Sequence, residues 1–328
     1  MALLAGQRRS VLRVDDLQVR FSSGDGGFAA VDGISFELAP GESLALIGES
    51  GSGKSTTVLS LLRLLPRNSH VSGRVELLGE DLLALPERSL TRVRGSRIAM
   101  VFHDPFAALN PVMRIGKQIA EVVRVHAGIS RSAATARTID LLRSVGLAPE
   151  VAQRYAHQLS GGMRQRALIA MALACAPSIV VADEPTSSLD AVTQRQIIAL
   201  FQQLRSERKL ALLLATHDVD LAAELCDRIA VLYAGRIVEY GSPADVFSAP
   251  RHPYTAGLLR SLPPALGETT GARLSPIAGS SPPPWALPTG CGFRDRCPRA
   301  MPDCATLEPE LSGSIDGAVA CFHPIEGQ

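Results

Sequence analysis

The chain has 328 residues, of which 46% are hydrophobic and 20% charged, and its formal net charge is +1. That length supports one large or two medium domains with real cores. Near-neutral charge and an aromatic content of only 4% argue against a basic, base-stacking nucleic-acid surface and against attraction to anionic lipid.

Residues 11 to about 248 alternate short β-rich runs with helical patterns, which is α/β organisation. The first strand, LRVDDLQVRF (12–21), ends at Phe21. The next, SLALIG (43–48), runs into GESGSGKST (48–56) and then the helical pattern TTVLSLLRLL. Strand, Gly48-x4-Gly53-Lys54-Ser55 and helix together make a phosphate-binding loop. Its glycines, Gly48, Gly51 and Gly53, let backbone N–H groups converge on phosphate oxygens, with Ser50, Ser52 and Thr56 in the same cradle. Lys54 can reach the β- and γ-phosphates, and the Ser55 hydroxyl can ligate Mg²⁺.

RIAMVF (97–102) reads as a buried strand, and His103 stands where the chain leaves it. Residues 104–158 change character: IGKQIAEVVRVHAG and AATARTIDLLRSVGLA are amphipathic helices with no strand between them, a helical insertion. The run ALIAMALACA (167–176) is the longest apolar stretch. It falls short of the roughly 18 residues of a membrane span and reads as a buried helix. SIVVADEP then brings Asp183 and Glu184 to a strand end, where Asp183 suits Mg²⁺ binding and Glu184 can polarise a water against the γ-phosphate. A helix over 194–207, a strand LALLLAT (210–216) followed by His217, and a strand RIAVLYAG (228–235) complete the pattern.

After Ser248 the proline density excludes long regular elements. Of six cysteines, Cys175 and Cys226 are isolated and read as small core residues. Cys291, Cys297, Cys304 and Cys321 crowd the last 38 residues. The N-terminal MALLAGQRRS places apolar before basic residues, the reverse of a secretory signal, so a cytosolic chain is expected. In a reducing compartment the cysteine cluster favours a metal over disulfides, and the segment has too little apolar content to fold well without such a clip.

LSGGMRQR (159–166), just upstream of a strand ending in Asp-Glu, resembles the signature of ATP-binding-cassette (ABC) ATPases. Ser187-Ser188-Leu189-Asp190 is similar to their D-loop, and ATHD with His217 to their switch histidine. DPFAALNP (104–111), RHPYT (251–255) and the cysteine-bearing tail resemble the oligopeptide/dipeptide/nickel importer branch, in its D-type subunit.

The resemblance implies a P-loop NTPase fold. Residues 1–248 form an ABC nucleotide-binding domain carrying the helical insertion, and 249–328 a small Cys-rich C-terminal extension. It also implies an ATPase that powers solute import with ATP and Mg²⁺. Such a subunit works with a second ABC ATPase subunit, two transmembrane permease subunits and an extracytoplasmic solute-binding protein. Its place is peripheral, on the cytoplasmic face of the inner membrane, and no nucleic-acid partner is expected. Ser160, Gly161 and Gly162 would contact ATP held by the partner subunit, with Asp190 in the adjoining D-loop. Glu184 would be the general base or water orienter, and His217 would contact the γ-phosphate. Phe21 would stack on adenine, or equally be a core residue. The spacing of Cys291, Cys297, Cys304 and Cys321 resembles the extension that carries a 4Fe–4S cluster in some members. Zn²⁺ is the alternative, and free thiols or a disulfide pair a lesser one.

The family pattern places a glutamine where this chain has His103. That glutamine contacts Mg²⁺ and the attacking water, whereas Mg²⁺ strongly prefers oxygen to imidazole. Slower hydrolysis is therefore expected, against the alternative that His103 merely fills the loop. Two other classes compete: a soluble ABC ATPase of DNA repair or translation, and a slow-hydrolysing regulatory subunit. Near-neutral charge weighs against the first. Intact Lys54, Asp183, Glu184 and His217 weigh against the second.

Overall fold

A computed structural model describes residues 10–23, 26–262, 276–314 and 316–326. In chain order it contains β1 (Leu12–Ser23), β2 (Gly26–Leu38), β3 (Ser43–Ile47), α1 (Lys54–Leu61), β4 (Ser69–Leu77), β5 (Glu80–Asp81) and α2 (Glu87–Val93). Next come β6 (Ile98–Val101), α3 (Pro105–Ala108), α4 (Ile115–Ala127), α5 (Arg131–Ser144), α6 (Gly161–Ala172), β7 (Ile179–Asp183), α7 (Ala191–Arg208) and β8 (Ala211–Thr216). The chain continues through α8 (Val219–Leu225), β9 (Arg228–Tyr233), β10 (Arg236–Gly241), α9 (Pro243–Ser248), α10 (Pro253–Arg260), β11 (Ser312–Ser314) and β12 (Gly317–Val319). No helix among the described residues is long and apolar enough to cross a membrane.

The chain divides into two compact units. The first comprises Met1–Glu37, Leu44–Leu83 and Thr216–Gln328. It holds an antiparallel sheet of order β2-β1-β4-β5 and a run of strands β11-β12-β10-β9-β3. Strands β3 and β9 pair in parallel, Leu44 opposite Arg228 and Ile47 opposite Val231. All five positions of β3 are buried, which is why it reads as one apolar run. The β1–β4 register shifts between Asp15 and Gln18. Gly73 sits at that irregularity with φ +98°, where a Cβ would meet the Asp16 carbonyl oxygen at 2.3 Å.

The second unit comprises Leu38–Ser43 and Ala84–Ala215. Its parallel strands run β6, β7, β8, with Val101 opposite Ala182 and Asp183 opposite Ala215. Every residue of β7 and β8 is buried. The expected helical insertion takes the form of α3, α4 and α5 followed by two short 3₁₀ turns, with no strand. Gln118, 8% exposed on α4, ties the chain entering that helix: its amide donates to the carbonyls of Asn110 and Met113 and accepts from Asn110 N–H.

Several strands carry no clear sequence signal. β2 mixes exposed, half-buried and buried positions, and β4 has Gly73 in its middle, so neither shows a clean period. The pattern TTVLSLLRLL predicts a helix to residue 65, yet α1 stops at Leu61, because Arg63 takes a left-handed φ of 50° and Pro66 follows. Among the described residues beyond Ser248 the longest element is the eight-residue α10, with Pro253 in its first turn, where proline is tolerated. Cys226 is buried as expected, while Cys175 is only half-buried.

Candidate nucleotide site

In the first unit, β3 delivers the chain into the phosphate loop. A Cβ on Gly48 would lie 2.2 Å from the Leu232 carbonyl oxygen, and one on Gly53 would lie 2.7 Å from that of Ala30. Both positions therefore demand glycine, and both bring backbone close to backbone, leaving the loop's amides free to face a ligand. Gly53 precedes α1 in the left-handed region with no side-chain cap, so the helix N-terminus is uncovered. Lys54 is 6% exposed, and its ammonium donates to the carbonyl oxygens of Gly48 (2.7 Å) and Glu49 (2.9 Å). The buried Ser52 hydroxyl has no hydrogen-bond partner. An orphaned hydroxyl and a desolvated ammonium inside a glycine cradle fit a phosphate oxygen acceptor. Ser50, Gly51 and Ser55 are exposed and Thr56 half-buried at the same turn. His217, just beyond β8, is exposed in this unit.

Phe21, half-buried near the end of β1, stacks at 5.5 Å on Phe28, and Phe28 meets Trp285 edge-on at 5.9 Å. Trp285 is 73% exposed. Sequence analysis singled out Phe21 alone. Phe28 and Trp285 join it only through folding, from β2 and the C-terminal segment.

In the second unit, Asp183 ends β7 and is 8% exposed. Glu184 follows with a left-handed φ of 48°, a strained conformation for a non-glycine residue, held by its N–H donating to the Ala215 carbonyl at 2.8 Å. His103 is exposed beyond β6. Ser160 caps α6, its hydroxyl accepting from Met163 N–H at 3.3 Å. A Cβ at Gly162 would come within 2.3 Å of the Thr193 methyl, so a side chain there would have to displace Thr193. Asp190 caps α7 by accepting from Thr193 N–H (2.9 Å) and its hydroxyl (2.7 Å), and these bonds hold its carboxyl below the usual range. Ser160 is exposed and Gly161 and Gly162 half-buried, so the signature segment faces outward.

The four C-terminal cysteines, far apart in sequence, line one small, largely apolar pocket with Phe293 and Phe322. Burial pushes the thiols of Cys297 and Cys321 up and that of Cys291 to about 11, with the other three sulfurs adding to the effect at Cys291. Such thiols keep their protons at neutral pH unless a metal displaces them. Among the described residues, the one group of three potential ligand atoms all within 4.8 Å of one another is Asp303, Cys304 and His323. His323 is engaged there by the Asp303 carboxylate at 2.8 and 3.0 Å, an arrangement that gave no signal in the sequence.

The extension is docked by its polar groups. Glu239 on β10 is buried and accepts from Arg251 N–H (2.7 Å) and His252 N–H (3.0 Å). His252 is 2% exposed, and burial lowers its pKa to about 4, so it is neutral and accepts from Tyr254 N–H at 3.0 Å. Tyr254 in turn accepts from Glu49 N–H at 2.8 Å. The stretch RHPYT thus ties the start of the extension to β10 and, through Tyr254, to the phosphate loop.

Residues 31–187 match the family model for "ABC transporter", and residues 238–304 match that for "Oligopeptide/dipeptide transporter, C-terminal region". The oligopeptide transport ATP-binding protein OppD of Salmonella typhimurium is 43% identical over 319 residues, covering 96% of this chain and 94% of its own. This chain belongs to the ABC transporter family. The oligopeptide transport ATP-binding protein AppD of Bacillus subtilis is 41% identical, covering 95% of this chain and 96% of its own. Among solved structures, the ATP-binding cassette MJ0796, a dimer in a post-hydrolysis state bound to ADP and Pi, superposes with a TM-score of 0.63. It is 27% identical and covers 71% of this chain and 98% of its own. Family and fold together make the chain an ATPase with the P-loop cassette fold. These relatives favour the transporter reading over a soluble repair or translation ATPase.

Proposed function

We propose that the chain is the ATP-hydrolysing subunit of a peptide importer, pairing with a second ATPase subunit. It would drive two membrane permeases, fed by an extracytoplasmic binding protein, from the cytoplasmic face of the inner membrane. The observation that carries this is the near end-to-end similarity to oligopeptide transport ATP-binding proteins, extension included. Beyond β6, Phe102, Phe106 and Val112 are exposed at 38%, 53% and 82%. Apolar side chains gathered around one loop fit a membrane-subunit contact. Purification with two polytopic subunits and peptide-stimulated ATP turnover test the assignment. A chain that purifies without them from its native membrane would contradict it.

In this reading Lys54, with Gly48, Ser50, Gly51, Ser52, Gly53 and Thr56, binds the phosphates. Ser55 and Asp183 would hold Mg²⁺, which would supply charge neutralisation at the phosphates. Glu184 orients and deprotonates the attacking water, and its strained backbone fixes where that carboxylate points. His217 binds the γ-phosphate. Ser160, Gly161 and Gly162 would present the Ser160-capped N-terminus of α6 to ATP on the partner subunit, and Asp190 caps α7.

Phe21 stacks on the adenine, and its contact through Phe28 makes Trp285, the chain's single tryptophan, a reporter. Saturating ATP should quench Trp285 emission, and Phe21→Ala should remove the response. Unchanged emission in the wild type would contradict the stacking role.

His103 offers Mg²⁺ no oxygen, so ATP bound by this subunit is hydrolysed more slowly than glutamine would allow. His103→Gln should raise turnover about 3–10-fold, the scale of one restored hydrogen bond of about 1 kcal/mol to the attacking water. Equal turnover and equal Mg²⁺ dependence in the assembled transporter would leave His103 as loop filler.

Cys291, Cys297, Cys304 and Cys321 line one pocket and would together hold a 4Fe–4S cluster, which would supply structural ligation to the extension. Anaerobically purified protein should carry about four irons and a brown colour, both lost in Cys304→Ser. Stoichiometric zinc without iron would contradict it.

A further inference from the structure

The cysteine-bearing segment reaches the phosphate loop through Arg296. Arg296 forms a two-pronged ion pair with Glu49, Nη1 to Oε2 at 2.7 Å and Nη2 to Oε1 at 3.0 Å. The Arg296 side chain is 7% exposed and that of Glu49 26%. The guanidinium is fixed on its other edges: Nε donates to the Ala278 carbonyl at 3.0 Å, and the group lies over the rings of Tyr233 and Phe293 at 5.8 and 5.9 Å. Glu49 is also gripped along its backbone. Its N–H donates to Tyr254 and its carbonyl accepts from Lys54. Arg296 immediately precedes Cys297, whose sulfur lies in the four-cysteine pocket.

Glu49 places a carboxylate inside a loop built to take a polyanion. Left unpaired, that charge would oppose phosphate binding. A buried, forked guanidinium cancels it and sets the loop's second residue in one orientation, which a lysine would do less well. We propose that Arg296 is a positioning residue for ATP, acting through Glu49, and that the C-terminal segment is thereby a clamp that sets the nucleotide affinity of the phosphate loop. This rests on the ATPase assignment.

The test is the dissociation constant of a fluorescent ATP analogue for the full-length chain, with thermal unfolding of the nucleotide-free protein as a control on folding. Arg296→Gln should weaken binding about tenfold, from the uncancelled charge. Glu49→Gln added to it should restore affinity to within about threefold, a rescue that a merely structural role for Arg296 would not allow. Arg296→Lys, which keeps the charge without the fork, should fall between. Binding by Arg296→Gln within twofold of wild type overturns the proposal, as does a loss that Glu49→Gln fails to rescue. Should Arg296→Gln not fold, Arg296→Lys and Glu49→Gln carry the same reading. The first must weaken binding and the second must not, and the reverse overturns the proposal. A wild-type chain that failed to bind the analogue would instead overturn the ATPase assignment.

Discussion

Glu184→Gln should lower ATP turnover in the assembled transporter by about 10²–10³-fold while leaving ATP binding intact. The substitution removes the carboxylate's basicity and keeps its shape. Binding should survive because the residues proposed to grip phosphate are those of the loop from Gly48 to Thr56. The φ of 48° at Glu184 shows that the fold holds an unfavourable backbone there, at a cost of about 1–3 kcal/mol. The bond from its N–H to Ala215 keeps that conformation in the variant. Hence the expected signature is a large fall in kcat with KM for ATP nearly unchanged. A parallel rise in KM would assign Glu184 to binding.

Gly48→Ala should abolish measurable ATP binding, with the dissociation constant rising about 100-fold or more. The physical cause is a backbone collision. An added methyl would sit 2.2 Å from the Leu232 carbonyl oxygen and 2.9 Å from the Ser52 hydroxyl, at φ +154°. Neither neighbour is the tip of a flexible side chain free to leave: one is the main chain of β9 and the other is buried in the loop. The loop itself must move, at roughly 3 kcal/mol for a displaced strained segment, which is two decades in affinity. Isothermal titration with ATP reads this directly. Gly51→Ala is the contrast, because nothing lies within 4 Å of a Cβ there, and its cost should come from φ +81° alone. Equal losses at the two positions would argue against close backbone approach as the reason for Gly48.

The continuous apolar strands were legible because each is buried on both faces: β3, β7 and β8 appear as the runs that sequence analysis drew. The glycine-rich loop, the LSGG segment and the acidic pair Asp183–Glu184 could be proposed from sequence for a different reason. The residues proposed for each are consecutive, so spacing carries the pattern. β2 and β4, half-exposed and interrupted by glycine, offered no period to find. Arg296 was invisible for want of any local pattern: its partner lies 247 residues earlier in the chain. Phe28 and Trp285 likewise become a cluster with Phe21 only when the C-terminal segment folds back. RHPYT carried a resemblance but not its reason. That reason is a buried carboxylate, Glu239, taking the N–H groups of Arg251 and His252, and a tyrosine hydroxyl set on Glu49.

Uptake of a labelled oligopeptide by cells whose only copy of this subunit carries Glu184→Gln tests the central claim most directly. With the binding protein and permeases present, uptake should fall to background while the variant still assembles and binds ATP. Peptide uptake at the wild-type rate would contradict the claim that this chain powers peptide import.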